Sequence, residues 1–556
     1  MNGAVTTYTY GNCGNSFVSS ISLPLSLSTS QTWNCTGGVQ TSTTDANGKT
    51  SSVSFADANY WRPTSTTDAT GAVTTMTYAT SPMAGESTLN FNGTTSTADA
   101  RITLDGLGRT HVRQQRQAQG SSSYDSVETD YDTLGRASRV TVPYTGTAGQ
   151  TNSSAAGVVT TYDPLSRPLT VTDGGGGTTT YSYNQNDVLI TVGPAPSGEN
   201  TKRRQLEYDA LGRVISVCEL TTAAGAGTCG QTVTQTGYWT KYTYDANNDL
   251  MTVAQNAQSG SPQPRRYVYD GLGRMTSETN PENGTVTYVY DSDSTCGTST
   301  GDQVKTVDAM GNVKCYSYDA LHRNTSITYP SGPYASATPP KTFVYDGATV
   351  NGVAMANAKG RLAEAYTGPG SAKITDLGFS YSARGEVTDT YEMTPHSAGT
   401  FGPYYHISAS YWPNGLVNVL TPSFGSGAPV WTYTPDGEGR MYSVTTTAAG
   451  GETAQSSATY NAWGEATNVS FGSSGSDSYV FDASTGRMTQ YRFNAVSGGS
   501  VTGNLSWNAN GTLKQLQITD PFSSADTQTC TNSYDDLLRL SSNNCGSAWS
   551  QSYSYL

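Results

Sequence analysis

The clearest pattern along the chain is a short alternation of aromatic and other residues that ends at an aspartate. Between Tyr267 and Asp270 the two tyrosines are two residues apart, so a β-strand places both rings on one face. Asp270 can accept turn hydrogen bonds, and Gly273 offers a position with φ > 0. Arg274 then begins a return strand. This stretch therefore predicts a β-hairpin.

The same hairpin pattern recurs with small changes along the chain. Its complete or nearly complete copies are Tyr131, Asp132, Gly135 and Arg136; Tyr208, Asp209, Gly212 and Arg213; Tyr269, Asp270, Gly273 and Arg274; and Tyr318, Asp319 and Arg323. Close variants begin at Leu104, Tyr162 and Tyr534, and degenerate copies lie near Tyr183, Asp245, Asp308, Ser382, Asp436, Asn461, Asp482 and Asn508. From Asp436 to Asp535 the turn residues follow one another at intervals of 21 to 27 residues. Such a period predicts a repeat array, and no segment has sustained helical periodicity.

The Tyr-Asp-x-Leu-Gly-Arg strings resemble the YD repeats of the Rhs (rearrangement hotspot) family, which are shared with Tc toxin shell proteins and teneurins. Weaker copies run from about Asp45 to the last residue, so the resemblance covers nearly the whole chain. In the Rhs and Tc families the hairpins form one β-sheet strip that spirals into a hollow shell around a toxic C-terminal domain, and teneurins use a similar barrel for adhesion. The resemblance implies an all-β fold: an array of antiparallel YD-repeat hairpins in a spiralling, curved strip or hollow shell.

The family's bacterial members also have a core segment, rich in Asp-Pro and Gly, after the repeats. Nothing in this sequence matches that segment. Asp520-Pro521 is followed by Phe-Ser-Ser rather than glycines, so we interpret it, like Asp163-Pro164, as an ordinary turn. The sequence therefore resembles a shell that stops before any core or toxin domain.

Repeat regularity divides the chain into four predicted segments. Residues 1–100 hold irregular N-terminal hairpins, and residues 101–345 form the most regular block. In 346–376 the register lapses into a loop-rich break, and residues 377–556 are a degenerate repeat block.

Length and charge restrict the possible classes of protein. The 556 residues exceed the size at which one globular core stops growing, which favours a repeat architecture. Only 13% of residues are charged and the net charge is −13, so nucleic acids and anionic lipids are poor partners. We interpret the basic clusters Lys202-Arg203-Arg204 and Arg265-Arg266 as solvated strand residues. No apolar run is long enough to span a membrane.

The eight cysteines fall into four pairs of near neighbours in the sequence. The pairs are Cys13 with Cys35, Cys218 with Cys229, Cys296 with Cys315, and Cys530 with Cys545. Without a Cys-x-x-Cys or a Cys/His cluster, local disulfides are favoured over a metal site. Disulfides indicate an oxidising location, extracellular or at the cell surface, although the N-terminus does not resemble a signal peptide.

Candidate chemistry is sparse. His111, His322, His396 and His406 are far apart, and we expect them in surface or turn positions. No nucleophile elbow or phosphate loop is present, and Gly48-Lys49-Thr50 reads as a hairpin turn. The carboxylates near Asp245 and Asp291 lack the glycine and the final glutamate of an EF-hand. We therefore predict no enzyme, no cofactor and no metal site, although folding could still bring two distant carboxylates together.

Three functions follow as hypotheses. The first is a structural shell that encloses or presents a cargo or toxin domain supplied by another segment or partner. The second is a secreted or cell-surface adhesin whose Ser/Thr/Tyr face binds glycans or proteins. The third is a head-to-tail filament, because the half-repeats at Thr7–Tyr10 and Tyr553–Tyr555 leave open strand edges.

Overall fold

The computed structural model describes residues 4–57, 60–370, 372–397, 403–423, 427–447, 453–472, 475–494 and 498–555. Within these ranges the chain forms 48 β-strands and two single turns of 3₁₀ helix, Pro24–Ser26 and Ala335–Ala337. The fold is therefore all-β, as predicted. None of the described segments is a helix long and apolar enough to cross a membrane.

The strands are short and follow one another closely. The first 24 are β1 Thr7–Asn12, β2 Phe17–Ser22, β3 Ser28–Asn34, β4 Val39–Thr44, β5 Thr50–Ser54, β6 Ser65–Thr67, β7 Val73–Thr80, β8 Met83–Phe91, β9 Ser96–Leu104, β10 Thr110–Arg116, β11 Tyr124–Tyr131, β12 Ala137–Thr141, β13 Tyr144–Gly146, β14 Gly157–Tyr162, β15 Pro168–Thr172, β16 Thr178–Asn184, β17 Asp187–Gly193, β18 Lys202–Tyr208, β19 Val214–Leu220, β20 Gly227–Cys229, β21 Gln235–Tyr244, β22 Leu250–Gln255, β23 Gln263–Tyr269 and β24 Met275–Asn280.

The remaining strands are β25 Gly284–Asp293, β26 Gly297–Val307, β27 Val313–Tyr318, β28 Asn324–Ser331, β29 Lys341–Tyr345, β30 Thr349–Val350, β31 Val353–Ala354, β32 Leu362–Thr367, β33 Thr375–Tyr381, β34 Val387–Met393, β35 Tyr405–Tyr411, β36 Val417–Pro422, β37 Trp431–Pro435, β38 Met441–Thr446, β39 Thr453–Gln455, β40 Ser457–Tyr460, β41 Ala466–Phe471, β42 Gly475–Phe481, β43 Met488–Asn494, β44 Ser500–Trp507, β45 Leu513–Thr519, β46 Gln528–Tyr534, β47 Leu540–Asn544 and β48 Ser550–Ser552.

Sequence neighbours are also neighbours in the sheet. Strands from β1 to β39 belong to one 37-stranded sheet, β40 to β48 form a second sheet of nine strands, and β30 pairs with β31 in a small side hairpin. Pairing is antiparallel throughout the described ladders. It continues through residues 346–376, because β29 pairs directly with β32. The boundaries of the four sequence segments remain predictions.

Each repeat hairpin contains a β-bulge just after its arginine. Asp130 faces Arg139 and Tyr131 faces Ala137, so Ser138 has no partner across the ladder. The same skip occurs after Arg213 and Arg274. A bulge bends its strand and increases the local right-handed twist. Repeated at one edge of the strip, it favours a sheet that coils.

The strip does coil back on itself. Asn47 hydrogen-bonds Lys359 across a sequence separation of 312, and Arg487 bonds Asp173 across 314. The backbone N–H of Tyr534 donates to Glu199 across a separation of 335. Contacts at these separations mean that one revolution takes between 312 and 335 residues. The 556-residue chain is therefore longer than one revolution and shorter than two.

The two faces of the strip differ in composition. On one face, tyrosines two residues apart are half-buried against neighbouring hairpins, as with Tyr267 and Tyr269. On the other, threonines hydrogen-bond across strands, as Thr243 does with Thr252 at 2.6 Å. Burial is thin and local, and this explains why the sheet depends on contacts between neighbouring hairpins. One of the small buried clusters contains Val350, Met355, Ala358, Ala363 and Tyr391.

All eight cysteines are disulfide-bonded. The bonds join Cys13 to Cys35, Cys218 to Cys229, Cys296 to Cys315, and Cys530 to Cys545, the pairs proposed from the sequence. Cys218 and Cys229 are fully buried beside Leu220. Their disulfide bond therefore holds the segment that leads through β20, between β19 and β21, against the sheet.

Candidate functional site

The repeated turn is held by one carboxylate. Asp132 Oδ1 accepts from the backbone N–H groups of Leu134 at 2.9 Å and Arg136 at 3.0 Å. Asp132 Oδ2 accepts from Arg136 Nε at 2.7 Å. The Arg136 guanidinium and these N–H groups hold the pKa of Asp132 below its ordinary range. Asp209, Asp270 and Asp319 accept the same three hydrogen bonds in their own turns.

The penultimate turn residue requires a left-handed backbone. Gly135, Gly212 and Gly273 have φ of 83°, 78° and 73°, which glycine adopts without a steric penalty. His322 and Leu538 occupy the same turn position with φ of 61° and 64°. The sequence thus predicts the conformation correctly, and these two copies tolerate a strained residue at that position.

The repeat arginine also contacts the next hairpin. Arg136 lies over the ring of Tyr162 with its guanidinium carbon 4.6 Å from the ring centroid. The Tyr162 hydroxyl donates to the carbonyl oxygen of Ala137 at 2.8 Å. We call this arrangement the repeat clamp. It recurs for Arg109 with Tyr131, Arg167 with Tyr183, Arg213 with Tyr244, Arg274 with Tyr290, Arg323 with Tyr345, Arg440 with Tyr460, and Arg539 with Tyr555.

The clamp assigns roles to the residues singled out in the sequence. Tyr131 lies under Arg109, and its hydroxyl donates to the Thr110 carbonyl at 2.8 Å. The hydroxyl of Tyr318 donates to Gln303 O at 2.8 Å. Tyr208 and Tyr269 are half-buried, and burial raises the pKa of Tyr269. Sequence reasoning missed that each repeat arginine joins two hairpins; the only signal was that tyrosine and arginine recur together in the complete repeats.

Two edges of the strip have different loops. The Asp-turn edge holds the repeat turns, such as 132–136 and 209–213; the opposite edge holds the connections at the other ends of the strands, such as 173–177 and 194–201. The seam is the contact between successive revolutions of the strip. There, the Asp-turn edge of the second revolution packs on the opposite edge of the first.

Polar contacts join the two edges along the seam. Arg487 bonds Asp173 at 2.8 Å, and the backbone N–H of Thr97 donates to Gly437 O at 2.8 Å. Near the chain end, Lys202 Nζ bonds Glu199 at 2.7 Å and the Tyr534 carbonyl at 3.1 Å. The lysine side chain is only 3% exposed. The prediction that Lys202 is a solvated strand residue is therefore wrong, because the second revolution covers it.

Backbone approaches backbone at the seam so closely that glycine is required. A Cβ on Gly174 would lie 2.2 Å from the carbonyl oxygen of Ser484, and one on Gly177 would lie 2.2 Å from that of Ala509. Neither glycine has positive φ, so their small size and not their flexibility is what the seam uses.

A carboxyl group is buried in the same seam. The Glu438 side chain is 8% exposed and lies 3.1 Å from Arg440 Nη1. Burial, reinforced by the Asp125 carboxylate of the first revolution, raises the pKa of Glu438 to about 8. Glu438 is therefore largely protonated at neutral pH and can share a hydrogen bond with Asp125.

Among the described residues, one cluster has the donor types of a metal site. His111 Nε2 lies 3.4 Å from Glu128 and 3.7 Å from Asp130, on a strand where a bulge redirects the histidine. Arg139 already bonds Asp130 at 2.7 Å, and the Asn152 N–H donates to Glu128 at 2.6 Å. Both carboxylates beside His111 thus already accept hydrogen bonds from other groups of the protein.

Two of the remaining three histidines lie in turns and one lies on a strand. His322 and His396 are exposed in turns, as expected. His406 instead lies half-buried on β35, where it bonds Asp389 at 3.0 Å and stacks on Tyr391. His406 on β35 and His111 on β10 thus lie on strands and not in turns, and both are half-buried beside carboxylates of an adjacent strand.

The carboxylates weighed for calcium are bonded within the protein. Asp291 accepts from Arg274 at 2.8 Å, and Asp293 accepts from Lys305 at 3.0 Å. Asp245 accepts from the backbone N–H groups of Asn247 and Asp249, as a repeat aspartate does. These contacts account for the oxygen-rich spacing without a cation.

Two of the cavities on the described part of the strip differ in the chemistry of their walls. A recess of about 460 Å³ lies where a two-residue turn replaces a repeat turn, and Tyr181, Tyr183 and Tyr208 line it. A larger space of about 760 Å³ lies at the seam beside Asn200, Arg203 and Asp536. The first is aromatic and the second mainly polar.

No protein-family model and no curated protein matches this sequence. Solved structures do share its fold. A TcdB2-TccC3-Cdc42 crystal structure superposes with a TM-score of 0.73 at 13% identity, over 98% of this chain and 34% of that one. The Photorhabdus luminescens Tc holotoxin pore gives 0.77 at 13% identity, over 97% of this chain and 32% of the other. At this identity the similarity shows the fold alone, and the chain spans about a third of the solved chains it matches.

Proposed function

We propose that this chain is the structural wall of an Rhs/YD-repeat shell, which encloses or presents a cargo domain supplied by another segment or partner. The observation that supports this most strongly is the seam. A strip that only displayed its faces would not need to bury Lys202 and Glu438 between successive revolutions. Sealing neighbouring revolutions is what a continuous wall requires.

Further support comes from how the charged residues are used. The repeat Asp and Arg side chains bond each other and the next tyrosine, and this leaves them little freedom for chemistry. We therefore infer an architectural role without catalysis. The four disulfides favour an extracytoplasmic wall, because such bonds persist in oxidising compartments.

Small-angle scattering and cryo-electron microscopy of the purified chain test the wall. A coiled wall around an empty interior gives a density map with a low-density centre bounded by the strip. A protease added from outside should leave the interior face uncut, while it cleaves loops on the outer surface. A map with a filled core, or an extended ribbon without a seam, would disprove the proposal.

Glycan binding is the second candidate, and the tyrosine-lined recess favours it. Tyr181 and Tyr208 present aromatic rings beside Arg167 and Asp209, and rings with flanking polar groups are suited to sugars. Glycan-array binding that is lost in Tyr181→Ala would support it. Tyr267→Ala, a half-buried tyrosine outside the recess, is the control. Array signals that are equal in both variants would count against this candidate.

A further inference from the structure

The bulge that follows each repeat arginine holds an imidazole in one repeat. In four other repeats the unpaired bulge position is occupied by a hydroxyl-bearing or apolar residue, namely Ser138, Ile215, Thr276 and Thr325. After Arg109 it is occupied by His111, which the pairing of β10 with β9 skips. A bulge re-aims the side chain that it carries. The imidazole of His111 is thereby brought close to two carboxylates on β11.

Three donor atoms meet beside this bulge. His111 Nε2 lies 3.4 Å from Glu128 Oε1 and 3.7 Å from Asp130 Oδ1. The two carboxylates are two residues apart on β11, so they share one face of the sheet. Both distances are longer than ordinary hydrogen bonds. They are close to the separation of ligands around a tetrahedral zinc ion, about 3.4 Å when each ligand lies about 2.1 Å from the metal.

Each carboxylate has one oxygen bonded within the protein and the other turned toward His111. Glu128 Oε2 accepts from the Asn152 backbone N–H at 2.6 Å, which leaves Oε1 facing the histidine. Asp130 Oδ2 accepts from Arg139 Nη1 at 2.7 Å, which leaves Oδ1 facing it. Outer hydrogen bonds of this kind fix the orientation of metal ligands. The three ligands are therefore held in position by the fold itself.

Other histidines beside carboxylates are arranged differently. His406 Nε2 lies 3.0 Å from one oxygen of Asp389, and His322 Nδ1 lies 2.8 Å from one oxygen of Asp302. These are hydrogen-bond distances to a single carboxylate. His111 instead lies between two carboxylates and farther from each. A shared cation accounts for this spacing, whereas a simple ion pair would draw one carboxylate closer.

The charges around the cluster also favour a cation. The Glu128 side chain is only 5% exposed, and among the residues that the structure describes its charged neighbour is His111 and not a lysine or arginine. A carboxylate buried this deeply is costly without a positive partner. Arg139 compensates the charge of Asp130. His111 and Asp130 are about one-third exposed, which gives an ion a path from solvent.

We propose that His111, Glu128 and Asp130 bind one divalent transition-metal ion of the zinc class, with water as the fourth ligand. A histidine nitrogen with two carboxylate oxygens suits Zn²⁺, whereas Ca²⁺ takes about six to eight oxygen ligands. The ion joins β10 to β11 and, through Asn152, to the loop between β13 and β14. This site goes beyond the wall function. Sequence spacing does not indicate it, because His111 and Glu128 are 17 residues apart and meet only in the folded strip.

Isothermal titration calorimetry with Zn²⁺ tests the site on the intact chain, after treatment with EDTA and removal of the chelator. All eight cysteines are disulfide-bonded, so no thiol competes for the ion when reductant is left out. We expect one Zn²⁺ per chain with a Kd below about 10 μM, and no displacement by excess Ca²⁺. Co²⁺ in place of Zn²⁺ should give the strong visible absorption of a tetrahedral site.

Two variants each remove one ligand. His111→Ser introduces the residue that holds the same bulge position after Arg136, so the hairpin should keep its fold. In Glu128→Gln the amide oxygen stays with the Asn152 N–H, and the amide NH₂ faces the site. Each variant should weaken Zn²⁺ binding by about 100-fold or more and abolish the Co²⁺ absorption. The matched control is His406→Ser, which removes a histidine paired with one carboxylate and should bind Zn²⁺ like the wild type.

Hydrogen exchange locates the ion independently of its affinity. Zn²⁺ should slow exchange of the β10 and β11 amides in the wild type and leave them unchanged in His111→Ser. A wild type whose Kd for Zn²⁺ exceeds about 10 μM would overturn the proposal, and so would equal binding by His111→Ser. Zn²⁺ binding that leaves exchange in β10 and β11 unchanged would place the ion elsewhere and would also overturn it.

Discussion

Arg487 donates to Asp173 at 2.8 Å, although 314 residues separate them in the sequence. The turn that holds Arg487 is one residue longer than the ordinary repeat turn: Asp482 Oδ1 accepts from the Thr485 hydroxyl at 2.8 Å, and the Arg487 backbone N–H donates to that hydroxyl at 3.3 Å. Arg487 is therefore free to reach the previous revolution. A repeat element that usually joins neighbouring hairpins here joins successive revolutions of the strip.

A larger side chain next to Asp173 should push the two revolutions apart at the seam without unfolding the hairpins beside it. A valine at Gly174 meets the carbonyl oxygen of Ser484, and the local turn can accept it because the glycine does not have positive φ. In Gly174→Val, we expect faster hydrogen exchange across residues 482–511 and unchanged exchange in β16. Gly271→Val is the control, because nothing lies within 4 Å of its Cβ position. Unchanged exchange in 482–511 would contradict this account of the seam.

The repeat clamp should show energetic coupling between Arg136 and Tyr162. A double-mutant cycle with Arg136→Gln and Tyr162→Leu should give a coupling of about 0.5–2 kcal/mol, the range from exposed to desolvated cation–π contacts, because this one is half-buried. Exchange of the β14 amides is the readout, since a long repeat array does not unfold in two states. Arg136 with Tyr183 makes the control cycle. Equal coupling in both cycles would argue against a specific clamp.

At the left-handed turn position, replacing glycine should lower the stability of a hairpin, and introducing glycine should raise it. Gly212→Ala places a Cβ at φ 78° and should cost about 1–2 kcal/mol locally from strain against its own backbone, because no atom of another part of the chain lies within 4 Å of the Cβ position. Leu538→Gly relieves φ of 64° and should stabilise its hairpin. Local exchange measures both, with Gly106→Ala as the control outside the left-handed region. Destabilisation by Leu538→Gly would show that packing of that leucine outweighs backbone strain.

The seam should weaken as pH rises because of Glu438. Its folded-state pKa, about 8, exceeds the unfolded value, so the folded state retains a proton that the unfolded chain has lost. The contribution is thus fully present below about pH 4 and is lost as pH rises toward 8. Glu438→Gln keeps a neutral side chain and should melt at a higher temperature than the wild type near pH 9, with little difference near pH 5. If the variant and the wild type differ in melting temperature by the same amount at pH 5 and pH 9, Glu438 does not hold a proton in the folded state.

Removing the buried Cys218–Cys229 disulfide should destabilise the segment between β19 and β21. The Cys218–Cys229 bond closes a short loop, and its loss, in Cys218→Ala with Cys229→Ala, should cost about 2.5–3 kcal/mol in the chain-entropy model. Exchange should rise between residues 218 and 239, and reductant should reproduce it in the wild type. The matched variant, Cys13→Ala with Cys35→Ala, should affect only the first hairpins. If loss of the Cys218–Cys229 bond raised hydrogen exchange equally along the whole chain, the disulfide would stabilise the entire strip and not this segment alone.

Much of this molecule could be predicted from local residue patterns. The strands ending at Tyr131 and Tyr208, the aspartate-capped turns, the left-handed glycines and the four cysteine pairs all depend on interactions within a few tens of residues. Turn hydrogen bonds and alternation of side chains along a strand belong to the short segment that forms them. The sequence therefore determines the hairpin and the order in which hairpins follow.

Only the tertiary structure decided which distant residues meet. The burial of Lys202 and Glu438 and the need for Gly174 depend on where the strip returns after one revolution. The place where the strip returns depends on the small twist of each strand and each bulge, added up along 312 to 335 residues. A slight change in each would bring different loops together, so no local pattern can indicate the outcome.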